Sequence, residues 1–214
     1  MLKMYNIEIT IKNIDLKFTS NDKLFSPKNI DIGTLSMIDE VNFENENKIL
    51  DLGCGYGVVG ILAAKIIGEN KVVMCDIDSE AVEASKNNAV LNNVSNISII
   101  QSDGLKNIID KDFSMILSNP PYHTDFSVAK HFIESGFYKL ALNGKFIIVT
   151  KRLDWYKNKL SSIFGGVKVK EKNGYYIFIS EKRNMLDSNK LKKKLKKEDR
   201  DALKSMKSNK KNHK

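Results

Sequence analysis

Asp51-Leu52-Gly53-Cys54-Gly55-Tyr56-Gly57-Val58-Val59-Gly60 is the stretch on which the fold turns. An apolar run over 48–52 leads into it, and a run rich in Val, Ile and Ala over 56–67 leads out. This reads as strand, glycine loop, buried helix. Glycines let the backbone turn sharply and approach a ligand closely, and a following helix N-terminus presents free N–H groups. Working outward, strands are expected at 71–75, 97–101, 113–118 and 145–150, with helices at 79–92, 127–142 and 153–162. Asp78 or Ser79 is the expected N-cap of the second helix. The runs 167–172 and 175–180 alternate on either side of Asn173-Gly174, a strong hairpin signal because both turn residues need positive φ. Upstream, Ile7, Ile9 and Ile11, then Ile14, Leu16 and Phe18, alternate with a phase change at Asn13, which predicts a small hairpin over 5–19. A short helix is expected near 33–42. Parallel strands need helical crossovers. The expected fold is therefore α/β: a Rossmann-like, mostly parallel sheet with helices on both faces, closed by a hairpin that adds an antiparallel last strand.

The glycine loop can be parsed in two ways. From Gly55 it is G-x-G-x-x-G, with Asp76 placed 19 residues after Gly57, which suits a dinucleotide. From Asp51 it is D-x-G-x-G-x-G, which suits S-adenosylmethionine, a ligand with a cationic ammonium and no phosphate. Asp51 beside a pyrophosphate sets like charges together in a dry site, which is unfavourable. Beside an ammonium it is favourable, so the second parse is preferred. Two more acids end the next strands. Asp76 is placed to accept from both ribose hydroxyls, since an ionised carboxylate has two acceptor oxygens. Ile77 is expected against the adenine face. Asp103 is a candidate acceptor from the adenine amino group, with the Gly104 N–H donating to the ring; the competing role for Asp103 is a helix cap over 104–109.

The fourth strand runs into Asn119-Pro120-Pro121-Tyr122-His123, which holds two of the chain's three prolines. Proline fixes φ and restricts its predecessor, giving a stiff loop with preset carbonyl directions. An exocyclic amino group on a base, or an amide, is a poor nucleophile because its lone pair is delocalised. The Asn119 side-chain oxygen and the Pro120 carbonyl can bind its two N–H groups and direct the lone pair at a sulfonium methyl. Tyr122 can stack on the planar target. Such a reaction needs no metal, and it gains mostly from positioning. A nicotinamide enzyme gives this loop no role.

These residues in this order resemble the class I S-adenosylmethionine-dependent methyltransferases with an Asn-Pro-Pro-Tyr motif. That family's fold is a seven-stranded sheet with its last strand antiparallel. The segments 18–27 and 31–34, with His123, look like the small-subunit ribosomal RNA guanine-N2 methyltransferases. The resemblance implies methyl transfer to a guanine N2 in ribosomal RNA, with ribosomal RNA or a ribosomal subunit as partner. It places Asp51, Gly53 and Gly55 at the methionine part, Asp76 at the ribose, Asp103 at the adenine, and Asn119, Pro120 and Tyr122 at the target amino group. The Gly33-Thr34 region is expected near the methionine end. The best-known members carry a duplicated N-terminal domain for RNA recognition, whereas this chain holds one methyltransferase unit, 1–180. Tyr122 stands where phenylalanine is usual in that subfamily. Tyrosine is also usual in adenine-N6 and release-factor glutamine methyltransferases, so those targets stay open. A non-catalytic RNA-binding module is the reading from a different class.

Charge divides the chain further. Residues 181–214 hold 14 of the 35 Lys+Arg and 5 of the 26 Asp+Glu, so the whole formal charge of +9 sits there and the body is neutral. This lysine-rich tail is expected to be disordered or a frayed helix on its own, and to tether RNA through its phosphates without choosing a base. Lys151 and Arg152, at a strand end on the ligand side, are either solvated or RNA contacts, and Trp155 is read as packing. No run approaches the ~18 apolar residues of a membrane span or forms a signal peptide. Cys54 and Cys75 lie in no metal or redox spacing, and only three histidines are present. The expectation is a cytoplasmic protein with reduced cysteines and no metal.

Overall fold

The computed structural model describes residues 2–121 and 126–183. The expected hairpin is β1 (Met4–Ile11) and β2 (Ile14–Asn21), paired antiparallel around Lys12 and Asn13, which both have positive φ. After α1 (Ile32–Asp39) the strand–helix alternation begins. It runs β3 (Ile49–Leu52), α2 (Val58–Ile67), β4 (Val72–Asp76), α3 (Ser79–Leu91), β5 (Ser98–Gln101) and β6 (Phe113–Ser118). It ends with α4 (Ser127–Lys139), β7 (Leu140–Thr150), α5 (Asp154–Phe164), β8 (Lys168–Lys172) and β9 (Tyr175–Glu181). Asp78 caps α3 by accepting from the Glu80 N–H.

The seven-stranded sheet has the order β5-β4-β3-β6-β7-β9-β8. The first five in that order are mutually parallel, and β9 is antiparallel to both its neighbours. Asn173 and Gly174 turn the β8–β9 hairpin with φ of 52° and 76°. The chain builds outward from β3 to β5, then returns to the other side of β3 with β6. That reversal opens a crevice at the carboxyl ends of β3 and β6, where ligands of such sheets bind.

Strand periodicity sorts the core. Ile49, Met74, Met115, Ile147 and Ile177 join one cluster with Met37 of α1, Leu62 of α2 and Ala89 of α3. Their alternates, including Phe146 and Phe178, face α4 and α5, where Phe137, Tyr156 and Phe164 pack edge-on or stacked against them and each other. The hairpin lies over α3 through two asparagines one helical turn apart. Asn88 Oδ1 accepts from Thr19 N (2.8 Å) while its Nδ2 donates to Thr19 O (3.0 Å), and Asn92 does the same for Lys17 (3.0 and 2.6 Å). The two amides imitate a neighbouring strand and satisfy the free edge of β2.

Several boundaries differ from the sequence reading, among them the end of α1 at Asp39, and two have a clear physical cause. The helix expected over 127–142 stops at Lys139, and Leu140–Thr150 is one strand. Leu140 continues the helical spacing of Ile133 and Phe137, but it pairs with Phe113 and its carbonyl accepts from the buried Lys182 Nζ (2.6 Å). Tertiary pairing overrides the local pattern. The helix expected from Tyr56 begins at Val58, because Gly57 has φ 101° and cannot belong to it.

Candidate active site

A cleft of about 340 Å³ lies at the crevice, within the range of small-molecule sites. Asp51, Gly53, Gly55, Asp76, Ile77, Asp103, Gly104, Asn119 and Pro120 all line it, and of the Gly33-Thr34 region Thr34 does. Tyr122, His123 and the tail from 184 onward lie outside the described residues.

On the loop side, Gly53, Gly55 and Gly57 all take positive φ, which side chains disfavour. The loop is tied to β4: Gly53 N and Cys54 N donate to Cys75 O (2.9 and 3.0 Å), and Gly55 N donates to Asp76 Oδ2 (2.8 Å). Asp51 Oδ2 accepts from Gly60 N in the first turn of α2 (2.9 Å). A Cβ on Gly60 would lie 2.5 Å from Met74 Cγ, so the third glycine serves close helix–strand packing. This arrangement bears on the two parses. The helix N-terminus that would receive a pyrophosphate already faces a carboxylate, and a second anion there would be repelled. Asp51 is 3% exposed. Burial pushes its carboxyl up to about 7, helped by the charge of Asp76 and opposed by the Gly60 N–H. Such a group favours a cation beside it.

Asp76 Oδ1 accepts from Asp78 N (3.1 Å), so each of its oxygens holds one backbone N–H and retains capacity for a ligand hydroxyl. Ile77 stands 63% exposed at the cleft, an apolar surface without a cover among the described residues. Asp103 is ion-paired with Lys106, which holds its carboxyl below the usual range. No helix follows it, so the capping role considered for Asp103 is not found. Cys54 and Cys75 are free and buried, and desolvation raises both thiols, Cys75 to about 12.

On the opposite side, Ser118 Oγ donates to Leu52 O (2.8 Å) and fixes the end of β6 beside β3. Asn119 follows. Its Nδ2 donates to Asp31 Oδ2 (2.8 Å) and to Thr34 Oγ1 (2.9 Å). Its Oδ1 is buried and has no hydrogen-bond partner among the described residues. Tyr175 OH donates to Asp31 Oδ1 (3.3 Å). Asp31 and Tyr175 were not singled out for the site from sequence. From sequence, Asp31 enters only through the segment 31–34 that carries the family resemblance; its capping of α1 and its contact with Asn119 are seen in the structure. Thr34 lines the cleft as expected, and its contact is with Asn119. Trp155 stacks on Phe126 (4.3 Å between centroids), with the Arg152 guanidinium over the Phe126 ring, and Lys151 Nζ lies over the Tyr175 ring. Among the described residues no helix is long and apolar enough to cross a membrane, and no three His, Cys, Asp or Glu cluster as metal ligands.

Comparison with known proteins accords with this geometry. The methyltransferase small domain family matches residues 15–179. The Bacillus subtilis protein YbxB is 35% identical over 178 residues, covering 80% of this chain and 89% of that protein. The ribosomal RNA small subunit methyltransferase C of Pseudoalteromonas atlantica is 31% identical, covering 75% of this chain and 48% of its own length. The solved T. thermophilus 16S rRNA N2 G1207 methyltransferase, in complex with AdoMet and guanosine, superposes with a TM-score of 0.75 at 23% identity, over 84% of this chain and 51% of that one. The chain thus spans about half the length of these ribosomal RNA methyltransferases. The family match over most of the described body, together with the sheet order and the glycine-loop cleft, shows that the chain belongs to the methyltransferase small domain family.

Proposed function

We propose that the protein transfers a methyl group from S-adenosylmethionine to an exocyclic amino nitrogen of ribosomal RNA, specifically guanine N2. The observation that carries the reading is the buried Asn119 Oδ1 in the cleft, which has no hydrogen-bond partner among the described residues. An unsatisfied buried acceptor costs about 1–3 kcal/mol. It is explained if a target N–H arrives to satisfy it.

The donor fits the residues present. Asp51, desolvated and raised to about 7, suits a cationic ammonium. Asp76 retains acceptor capacity for ribose hydroxyls, and exposed Ile77 offers an apolar face for a base. When bound, S-adenosylmethionine supplies a sulfonium methyl as electrophile. The chain's own groups then act on the target. Asn119 Oδ1 and the Pro120 carbonyl accept from the two amino N–H groups and aim the nitrogen lone pair. The new N–C bond forms as the S–C bond breaks in line, the sulfur leaves with the electron pair, and the extra proton departs to water. No base is needed before the methyl arrives. Positioning and a preset acceptor supply most of the acceleration. Tyr122 is assigned to stack on the base.

Guanine N2 is favoured over adenine N6 or a glutamine amide by the likeness to small-subunit enzymes, one of them solved with guanosine. Incubation with methyl-labelled donor and separate pools of ribosomal RNA, DNA and release factor tests this. The expected product is N2-methylguanosine in the ribosomal RNA pool. Label in N6-methyladenine or in protein overturns the target, and no incorporation anywhere favours a binding module.

A further inference from the structure

We propose that Asp31, assisted by Thr34, is a positioning residue that locks the Asn119 amide with its oxygen toward the cleft. The proposal rests on the amino-methylation reading and deepens it by naming what sets the acceptor.

An asparagine side chain has an oxygen that accepts and a nitrogen that donates, and rotation by a half turn exchanges them. A site that must accept from an amino group works in only one of the two orientations. An ionised carboxylate accepts and never donates. At 2.8 Å from Asn119 Nδ2, Asp31 Oδ2 therefore dictates the choice. The flipped amide would set two oxygens against each other and lose both hydrogen bonds. Thr34 Oγ1 takes the second Nδ2 proton at 2.9 Å, so both donors are spent away from the reaction and the oxygen alone is left for the target.

Asp31 is itself held by two further contacts. Its Oδ2 accepts from Thr34 N (2.9 Å) as the cap of α1, and its Oδ1 accepts from Tyr175 OH (3.3 Å). Residue 33 has to be glycine: a Cβ there would lie 2.6 Å from the Tyr175 ring and 2.8 Å from Asp31 Oδ2. Three segments, from α1, β6 and β9, converge on one amide. An acceptor fixed before the target arrives needs no reorganisation during reaction. It also admits an amino group and rejects an oxo group in the same place.

Asp31→Ser separates this role from helix capping. Serine still caps α1 through the Thr34 N–H, but it is too short to hold Asn119. Asp31→Asn is the conservative partner, because its amide oxygen can replace Oδ2 while its amide nitrogen faces the Tyr175 hydroxyl. The expected result for Asp31→Ser is a kcat lower by about tenfold to a hundredfold, with donor affinity and melting temperature near wild type. Asp31→Asn should regain most of the rate. In an Asn119→Ala background, Asp31→Ser should cause no further loss. Independently of activity, the 15N side-chain amide pair of Asn119, identified by its disappearance in Asn119→Ala, should exchange slowly with solvent and become fast in Asp31→Ser. If no substrate is methylated but the amide responds in this way, the lock stands and the proposed reaction falls. Wild-type kcat with unchanged exchange in Asp31→Ser, or an equal further loss in the Asn119→Ala background, overturns the lock.

Discussion

On the glycine-loop side of the cleft, Asp51 meets Gly60 across nine residues and Asp76 meets Gly55 across 21. On the opposite side, Asn119 meets Asp31 across 88 residues and Tyr175 meets Asp31 across 144. The first half is close to a local structure: one strand, one turn and one helix, tied to the adjacent strand. The second exists only when α1, β6 and β9 are brought together by the sheet. The halves also differ in what they leave open. The loop side offers a desolvated acid whose charge is unmatched among the described residues. The other side offers a buried neutral acceptor with no hydrogen-bond partner among the described residues. A cationic donor suits the desolvated acid and an N–H-bearing substrate suits the amide oxygen, and the halves should fail separately when mutated.

The largest expected effect is on the acceptor side. Asn119→Ala should lower kcat on the order of a hundredfold to a thousandfold, while donor binding by calorimetry stays near wild type. Lost donor affinity with retained turnover would merge the two halves. The converse lesion, Asp76→Ala, should weaken donor binding about tenfold to a hundredfold, as expected for hydrogen bonds to a charged group. At saturating donor its kcat should recover in large part. An unchanged dissociation constant would remove Asp76 from the donor half.

Protonation sharpens the contrast, because Asp51 is raised to about 7 by burial and Asp76. A carboxyl whose folded value lies above its unfolded one stabilises the fold while protonated. That contribution is full below about pH 4 and is lost as pH rises toward 7, a change of about 4 kcal/mol for Asp51 alone. The ligand-free protein should therefore lose this contribution across that window. The stabilisation conferred by the cationic donor should grow through pH 7, with proton release on binding. Asp51→Asn should flatten both trends, and identical pH slopes in that variant would contradict the assignment. The smallest effect concerns neither half. Truncation at residue 184 should weaken RNA binding and flatten its salt dependence, leaving donor affinity untouched. Retained RNA affinity would reduce the tail to a solubilising end.

The two halves were unequally legible before any coordinates. The loop side could be read because strand period, glycine spacing and acids at strand ends are all short-range patterns. Asp51, Gly55 and Asp76 fall where those patterns place them. The Asn173-Gly174 hairpin was legible for the same reason. Asn119 stands out by its two prolines, whereas Asp31 is marked only as part of the segment 31–34 that carries the family resemblance. Nothing in the sequence near 31 refers to residue 119; their meeting depends on where α1 crosses the sheet. The strand start at Leu140 was missed on similar grounds. Leu140 keeps helical spacing with Ile133 and Phe137, and only the pairing with Phe113 and the Lys182 contact make the segment extended.

The central claim, that an amino nitrogen of ribosomal RNA takes the methyl at Asn119, is tested most directly in cells. Modified nucleosides of ribosomal RNA would be mapped with the protein intact, deleted, and replaced by the Asn119→Ala variant. One guanine should lose its N2-methyl group in both altered strains. An unchanged guanine-N2 map, or loss of an N6-methyladenine instead, contradicts it.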